Sequence, residues 1–204
     1  MVIINSLKGW GLRGIIKMIF YEIYYFIENG SNTFKQIGYK SFSHNILDNY
    51  NIPTPAIYIY KLEKILNNLS EFTFVDVGSG RGRALSMAMK LNFKKIISIE
   101  KSKKLNKNLR SIFGDKIVYF EKDAQDFEIE KTSKAIFYFF ESFDEEIFFK
   151  FVKKQIAKNA FQSLFLVLVY STKENMIDEY LKEFNIYFSY ECSDRRKLII
   201  LKKK

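Results

Sequence analysis

The apolar segment at 164–170, LFLVLVY, limits the fold more than any other feature of the sequence. It shows no alternation of polar and apolar residues, which is typical of a strand buried on both faces. Strands of this kind lie at the centre of parallel sheets that carry helices on both sides. From residue 72 onward, short apolar segments alternate with helical patterns, and this alternation favours an α/β fold.

The predicted elements run from residue 55 to residue 201. Strands are predicted at 72–77, 95–100, 116–120, 135–140, 164–170, 186–190 and 197–201. Helices are predicted at 55–69, 83–91, 103–113, 144–157 and 175–184, the first capped by Thr54 with Pro55 as its first residue. The last two strands are too close together for a helix between them, so they form a hairpin and the final strand is antiparallel to its neighbour. We therefore predict a doubly wound, mostly parallel α/β sheet with a hairpin at one end.

The composition excludes several classes of protein. The chain has 204 residues, enough for one well-packed domain. Cys192 is the one cysteine and His44 the one histidine, so an internal disulfide and a structural zinc cluster are both excluded. A reducing compartment, and hence a cytoplasmic protein, is expected. The net charge is +10, but the basic residues are scattered, and the abundance of Lys, Asn, Ile, Phe and Tyr indicates an AT-rich genome rather than a nucleic-acid surface.

The segment 15–27, IIKMIFYEIYYFI, has 13 residues and is too short to cross a membrane. It has no small-residue cleavage site, so a signal peptide is not expected. One interpretation is an amphipathic helix on a membrane or partner surface, flanked by Lys8, Arg13 and Lys17. We favour a helix packed on the domain, because its aromatic residues cover more than one face. The chain is thus divided into an N-terminal helical extension, 1–49, and a main domain, 50–204.

The turn after the first predicted strand contains the glycines Gly78, Gly80 and Gly82. Glycine is needed where the backbone is left-handed or where a Cβ would meet a ligand. A dinucleotide site would have the spacing G-x-G-x-x-G, whereas this turn has G-x-G-x-G. Asp76 precedes it by two residues and would repel a pyrophosphate, but it suits a cationic amino-acid group. The turn therefore favours S-adenosylmethionine over a dinucleotide.

Two further acids follow the next two strands. Glu100 ends the second strand, 18 residues after Gly82, where a carboxylate can accept both ribose hydroxyls. Asp123 follows the third strand, where it can accept from an adenine amino group, and Ala124 is next to it. The three acids are expected at one edge of the sheet, because ligands of open α/β sheets bind at the carboxyl ends of the strands.

The segments VDVGSGRGRAL, SIEKS and EKDAQDF resemble the first three motifs of class I S-adenosylmethionine-dependent methyltransferases. The segment 50–55, YNIPTP, is similar to the Y-x-P-T-P lead-in of a bacterial group of these enzymes and to that of small mitochondrial-type protein lysine methyltransferases. The resemblance implies a Rossmann-like sheet with strand order 3-2-1-4-5-7-6. It also implies a cofactor site built from Tyr50, Thr54, Asp76, Val77, Gly78, Ser79, Gly80, Gly82, Glu100, Lys101, Asp123 and Ala124, with Tyr50 and Thr54 over the methionine.

The residues expected to bind the methyl acceptor are less informative than those of the cofactor site. After the fourth strand, relatives often carry Asn-Pro-Phe and amino-group nucleic-acid methylases carry Asp/Asn-Pro-Pro-Tyr/Phe, whereas this chain has Glu141-Ser142-Phe143. Glu141 is the candidate catalytic residue, to orient or deprotonate a nucleophile, or else an acid near the start of the following helix. His44 is either a general base or, as we favour, a surface residue.

Several functions remain open at this stage. We expect methyl transfer to an N or O nucleophile of a protein lysine or of a small molecule such as a sugar or lipid, in preference to nucleic acid. A non-catalytic S-adenosylmethionine-binding module is the alternative, and an NAD-dependent oxidoreductase is disfavoured by Asp76. No metal is expected, membrane contact through the N-terminal helix is kept as an option, and the oligomeric state is open.

Overall fold

The computed structural model describes residues 54–140, 145–171, 182–191 and 196–204, together with helical positions at 16, 19–21, 23, 24 and 27. The helices of the long ranges are α1 (Ala56–Ile65), α2 (Arg83–Ala88), α3 (Lys103–Phe113) and α4 (Glu145–Lys158). The strands are β1 (Thr73–Val77), β2 (Lys95–Ile99), β3 (Val118–Phe120), β4 (Lys134–Phe140), β5 (Ser163–Ser171), β6 (Phe184–Glu191) and β7 (Arg196–Lys203). Short 3-10 turns lie at Leu69–Glu71, Gly114–Lys116 and Ala124–Asp126.

The strands form one seven-stranded sheet in the order β3-β2-β1-β4-β5-β7-β6. The first five strands pair in parallel. The last strand, β7, lies between β5 and β6 and is antiparallel to both. The predicted α/β sheet, its strand order and its terminal hairpin are confirmed.

Helices cover both faces of the sheet because side chains alternate along each strand. Phe74 and Tyr138 pack in the apolar layer that contains α1, α2 and α3. Val75 and Phe137 pack in the layer that contains α4, where the rings of Phe137 and Phe151 meet edge to face at 5.2 Å. Each fully buried phenylalanine of this kind stabilises the fold by about 1.5–3 kcal/mol. This double burial is the reason that the central strands are apolar on both faces.

Several predicted boundaries were wrong, beginning with those of β3 and α2. The strand predicted at 116–120 begins at Val118, because Gly114–Lys116 forms a 3-10 turn in front of it. The helix predicted at 83–91 ends at Ala88, since the amides of Lys90 and Leu91 bond to carbonyls only three residues back, at 3.0 Å.

Three further predictions at element ends need correction. Pro55, predicted as the first helical residue, is instead the N-cap of α1, which begins at Ala56 and has no side-chain cap. This helix, predicted to run to residue 69, ends at Ile65, because the backbone is extended at Leu66 and a 3-10 turn begins at Leu69. The helix predicted at 175–184 cannot include its last residue, because Phe184 opens β6. Its positions 175–181 lie outside the described residues.

Two tyrosines of the N-terminal helical positions contact α1. The Tyr21 ring stacks on that of Tyr60 at 6.1 Å and 22°, and the Tyr24 ring meets Tyr60 edge-on at 5.2 Å. The other described apolar side chains of this segment are exposed, namely Ile16, Ile19, Phe20, Ile23 and Ile27. Within the described part of the chain, no helix combines the length and the apolar character that a membrane span requires.

Candidate functional site

The candidate site lies at the edge of the sheet where β1, β2 and β3 end. Asp76 is the penultimate residue of β1, Glu100 comes directly after β2, and Asp123 comes three residues after β3. Because these strands are parallel neighbours, their carboxyl ends meet at one edge. The structure therefore brings the three acids predicted from the sequence to the same edge of the sheet.

The glycine turn connects β1 to α2 and is held against β2. The amides of Gly78 and Ser79 both donate to the carbonyl of Ile99, at 2.9 and 3.0 Å. Gly82 has φ +81°, and a Cβ there would lie 2.3 Å from Leu109 Cδ2 and 2.8 Å from Phe113 Cε2. Gly82 is thus required for the close packing of α3 on the turn, while Gly78 and Gly80 occupy its first part.

Asp76 is a buried carboxylate with an unsatisfied oxygen. Its side chain is 4% exposed, and Oδ2 has no hydrogen-bond partner among the described residues. Burial raises the pKa of Asp76 to about 7, with a smaller rise from the Glu100 charge, and the Ser79 hydroxyl opposes both. A cation placed beside Oδ2 would lower the pKa again, because an opposite charge favours the ionised acid.

Two serine hydroxyls form a chain of hydrogen bonds that ends at the backbone of Asp76. Ser98 Oγ donates to Ser79 Oγ at 2.9 Å, and Ser79 Oγ donates to the backbone carbonyl of Asp76 at 3.0 Å. Asp76 pairs in register with Ser98 on one neighbouring strand and with Tyr138 on the other. Because paired residues on parallel strands share a face, Asp76 lies on the α1 side of the sheet, between a serine and a tyrosine.

Glu100 closes the turn through both of its carboxylate oxygens. Oε2 accepts from the Gly80 amide and Oε1 from the Ser102 amide, each at 2.8 Å. Each carboxylate oxygen has two lone pairs, so one remains on each oxygen for a ligand hydroxyl. The residue Glu100 is 9% exposed, at the rim of the site. Glu100 is therefore placed to bind a diol and to hold the turn at the same time.

The third acid and its neighbours complete the rim. Asp123 Oδ1 accepts from the Gln125 amide at 3.1 Å and caps the 3-10 turn that contains the buried Ala124. Lys101 is exposed directly after Glu100. The Val77 side chain is buried in the α4 layer, so its backbone alone is available to a ligand at this edge.

Thr54 is buried immediately before α1. Tyr50, His44 and Glu141 lie outside the described residues. Sequence reasoning missed Ser98, although a single hydroxyl in the apolar strand KIISI was a signal for it. No three His, Cys, Asp or Glu side chains are grouped as metal ligands in the described ranges.

No family model and no curated protein matches the sequence. The fold is similar to that of the proposed methyltransferase yhhF from Escherichia coli, with TM-score 0.59, 12% identity and coverage of 76% of this chain and 89% of that one. The proposed RNA methyltransferase PH1948 from Pyrococcus horikoshii gives TM-score 0.55, 18% identity and coverage of 78% and 88%. Mitomycin 7-O-methyltransferase MmcR gives TM-score 0.53, 9% identity and coverage of 74% and 55%.

At such identities the likeness concerns the fold alone. It agrees with the sheet order observed here, in which β7 is antiparallel between β5 and β6. The Y-x-P-T-P lead-in is not part of this likeness and stays a prediction, because 50–53 lie outside the described residues. The chain has the Rossmann-like fold of class I S-adenosylmethionine-dependent methyltransferases.

Proposed function

We propose that this protein is an S-adenosylmethionine-dependent methyltransferase. The observation that carries the proposal is the unsatisfied, buried Oδ2 of Asp76 beside a glycine turn that Glu100 closes. A phosphate-binding turn would leave this position free of negative charge, whereas the cofactor's methionine brings a cationic ammonium group. These two carboxylates therefore fit the cationic cofactor and oppose a dinucleotide.

Each predicted residue has a part in this proposal. Asp76 would bind the ammonium group, with the backbone of Val77, Gly78, Ser79 and Gly80 along the methionine. Glu100 would accept from the ribose hydroxyls, beside Lys101. Asp123 and Ala124 would contact the adenine. Gly82 allows α3 to pack closely on the turn, and Tyr50 and Thr54 would cover the methionine.

When bound, S-adenosylmethionine supplies an electrophilic methyl group on its sulfonium sulfur. The task of the chain is then to hold the acceptor in line with that methyl, and such positioning contributes about 7–11 kcal/mol in well-oriented reactions. Glu141 directly follows β4, which pairs with β1 on the edge opposite β2. From that position in the chain we assign it the role of orienting or deprotonating the acceptor.

The acceptor is proposed to be an N or O nucleophile of a protein lysine or a small molecule. The missing Asn-Pro-Pro motif after β4 supports this choice over nucleic-acid amino groups. The names of the similar structures include both an RNA methyltransferase and an O-methyltransferase, so the fold does not select an acceptor. We also propose a reducing, cytoplasmic location, because the chain has a single cysteine.

The proposal is tested by calorimetry with S-adenosylmethionine, S-adenosylhomocysteine and NAD. We expect both sulfur nucleosides to bind and NAD not to bind. Asp76→Asn should weaken binding about 5- to 150-fold, since a charge-assisted contact contributes about 1–3 kcal/mol. Asp126→Asn, an exposed acid of the neighbouring 3-10 turn, is the matched control and should leave binding unchanged. Binding of NAD without a response to the sulfur nucleosides would overturn the proposal.

The acceptor and the non-catalytic alternative are tested together by labelled methyl transfer into cell lysate fractions. Label in protein or in small molecules supports the proposed acceptor classes. Label in nucleic acid would contradict the acceptor choice but not the reaction. If S-adenosylmethionine binds and no fraction gains label, the non-catalytic binding module is the better description.

A further inference from the structure

Asn106 is a buried polar residue on the inner face of α3. Its side chain is 1% exposed, and Nδ2 donates to the carbonyl of Glu100 at 2.6 Å and to that of Ser102 at 3.1 Å. Its Oδ1 has no hydrogen-bond partner among the described residues. A buried, unsatisfied acceptor destabilises the folded state, so an apolar residue would serve the packing of α3 better. The position of the two donor contacts suggests another role for Asn106.

Both contacts fall on the short connection between β2 and α3. Glu100 lies after the last residue of β2 and Ser102 is the N-cap of α3, so neither belongs to a strand or to the helix body. The Glu100 amide is held by the carbonyl of Phe120 on β3 at 3.1 Å. Asn106 holds the other side of the same residue, through its carbonyl. The backbone of Glu100 is thus fixed at both of its hydrogen-bonding groups.

The carboxylate of Glu100 depends on this backbone. Its two oxygens accept from Gly80 and Ser102, at 2.8 Å each, and these distances require Glu100 and Ser102 to keep their relative placement. Asn106 donates to the carbonyls of both residues. It therefore spans the two residues that set the direction of the carboxylate.

We propose that Asn106 is a positioning residue that aims the Glu100 carboxylate at the ribose hydroxyls of the cofactor. This inference rests on the proposed function, because it assumes that Glu100 binds a ribose. Asn106 itself touches no ligand in this proposal. It acts through the 100–102 connection. Its loss should therefore weaken the binding of the cofactor's ribose rather than that of its methionine.

The test compares two ligands, S-adenosylhomocysteine and its 2′,3′-dideoxy analogue, by calorimetry. The wild-type protein should bind the dideoxy analogue about 10- to 100-fold more weakly, as expected for lost hydrogen bonds to a carboxylate. The quantity to compare is the ratio of the two dissociation constants, dideoxy analogue over S-adenosylhomocysteine. In Asn106→Ala this ratio should fall below about threefold, because the misdirected carboxylate no longer distinguishes the two sugars. The ratio, unlike overall affinity or stability, is not moved by a purely structural defect.

Two further variants separate positioning from packing. Asn106→Thr can still donate from its hydroxyl to the carbonyl four residues back, that of Ser102, but it cannot reach Glu100. We expect this variant to be stable enough for the measurement and to show the same fall in the ratio as Asn106→Ala. Ile112→Ala removes a partly buried side chain of the same helix that packs against the core, away from the connection. It should lower the melting temperature and keep the wild-type ratio.

The outcomes distinguish the inference from the function on which it rests. If the wild-type protein binds neither ligand, the proposed function fails. If it binds both equally, Glu100 does not bind the ribose and the inference is overturned while the function stands. If Asn106→Thr keeps the wild-type ratio, or Ile112→Ala loses it, the bond to the Glu100 carbonyl is not what aims the carboxylate, and the inference is wrong. Loss of the ratio in both Asn106 variants, with Ile112→Ala intact, supports it.

Discussion

The Oε2 atom of Glu100 accepts a hydrogen bond from the amide of Gly80 at 2.8 Å, and this contact joins the end of β2 to the turn that follows β1. The methionine and ribose parts of the proposed cofactor site are therefore connected directly. A change in the turn is transmitted to the carboxylate, and a change in the carboxylate is transmitted to the turn.

Glu100→Gln should weaken the binding of S-adenosylhomocysteine about 5- to 150-fold, or about 1–3 kcal/mol. Glutamine has one acceptor oxygen, so its NH₂ group would face either the Gly80 or the Ser102 amide, and one of these contacts is lost. Calorimetry measures the change. Glu121→Gln, an exposed acid after β3, is the control, and an equal loss in that variant would contradict the assignment.

The pKa of Asp76 makes the stability of the ligand-free protein depend on pH. Its value rises from 3.8 to about 7 on folding, so the native state binds more protons than the unfolded state between these values. Stability should therefore fall as pH rises from about 4 to about 7 and stay level above that, with a total loss of up to about 4 kcal/mol. Asp76→Asn should remove this component of the fall and be more stable than wild type at pH 8. Chemical denaturation at pH 5 and pH 8 tests this, and a mutant without that gain would contradict it.

Cofactor binding should depend on the same carboxylate with the opposite sign. A cationic ligand binds the ionised form of Asp76, so affinity should fall about tenfold for each pH unit below about 7, where the acid is protonated. Binding at pH 7 should also release protons, which calorimetry in buffers of different ionisation enthalpy detects. Asp76→Asn should bind weakly at every pH, and a pH dependence that survives in this variant must come from another group.

Gly82→Ala should destabilise the protein through backbone strain and overpacking together. Gly82 has φ +81° and ψ +23°, in the left-handed region, so an alanine there costs about 1–2 kcal/mol of backbone strain. The added Cβ would also overlap the side chains of Leu109 and Phe113. Overpacking of this kind costs about 1–3 kcal/mol more. Urea denaturation gives the total loss, and a loss no larger than the backbone strain would show that α3 moves away at little cost.

The apolar face of the N-terminal helical positions should bind lipid vesicles if the membrane option, kept open beside packing on the domain, is right. Ile19, Ile23 and Ile27 are about half exposed or more, while Tyr21 and Tyr24 contact Tyr60. Flotation with vesicles should persist at high salt and be lost in Ile23→Glu. Ile186→Glu, at an exposed apolar residue of the edge strand β6, is the matched control and should still float. Absence of flotation in the wild type would leave the helix with its contact to α1 as its described role.

The order of elements could be predicted because most of the chain obeys simple periodicities. The apolar pattern of β5 and the acids at the carboxyl ends of three successive strands predicted a candidate site at one edge of a parallel sheet. The start of β3 could not be predicted, because the turn at Gly114 overrides the strand preference of the residues that follow. Nor could the role of Asn106, since a side chain that reaches back to a carbonyl six residues earlier leaves no pattern in the sequence.

The unsatisfied oxygen of Asp76 also bears on which nucleosides the proposed site selects. Because Oδ2 has no hydrogen-bond partner among the described residues, ionising this buried acid costs free energy, and a ligand lowers that cost by bringing positive charge to the oxygen. Adenosine, which is neutral, would leave the cost unchanged even if its sugar and base fitted well. Under the proposed function, the chain should therefore prefer a nucleoside with a cationic amino-acid part over plain adenosine.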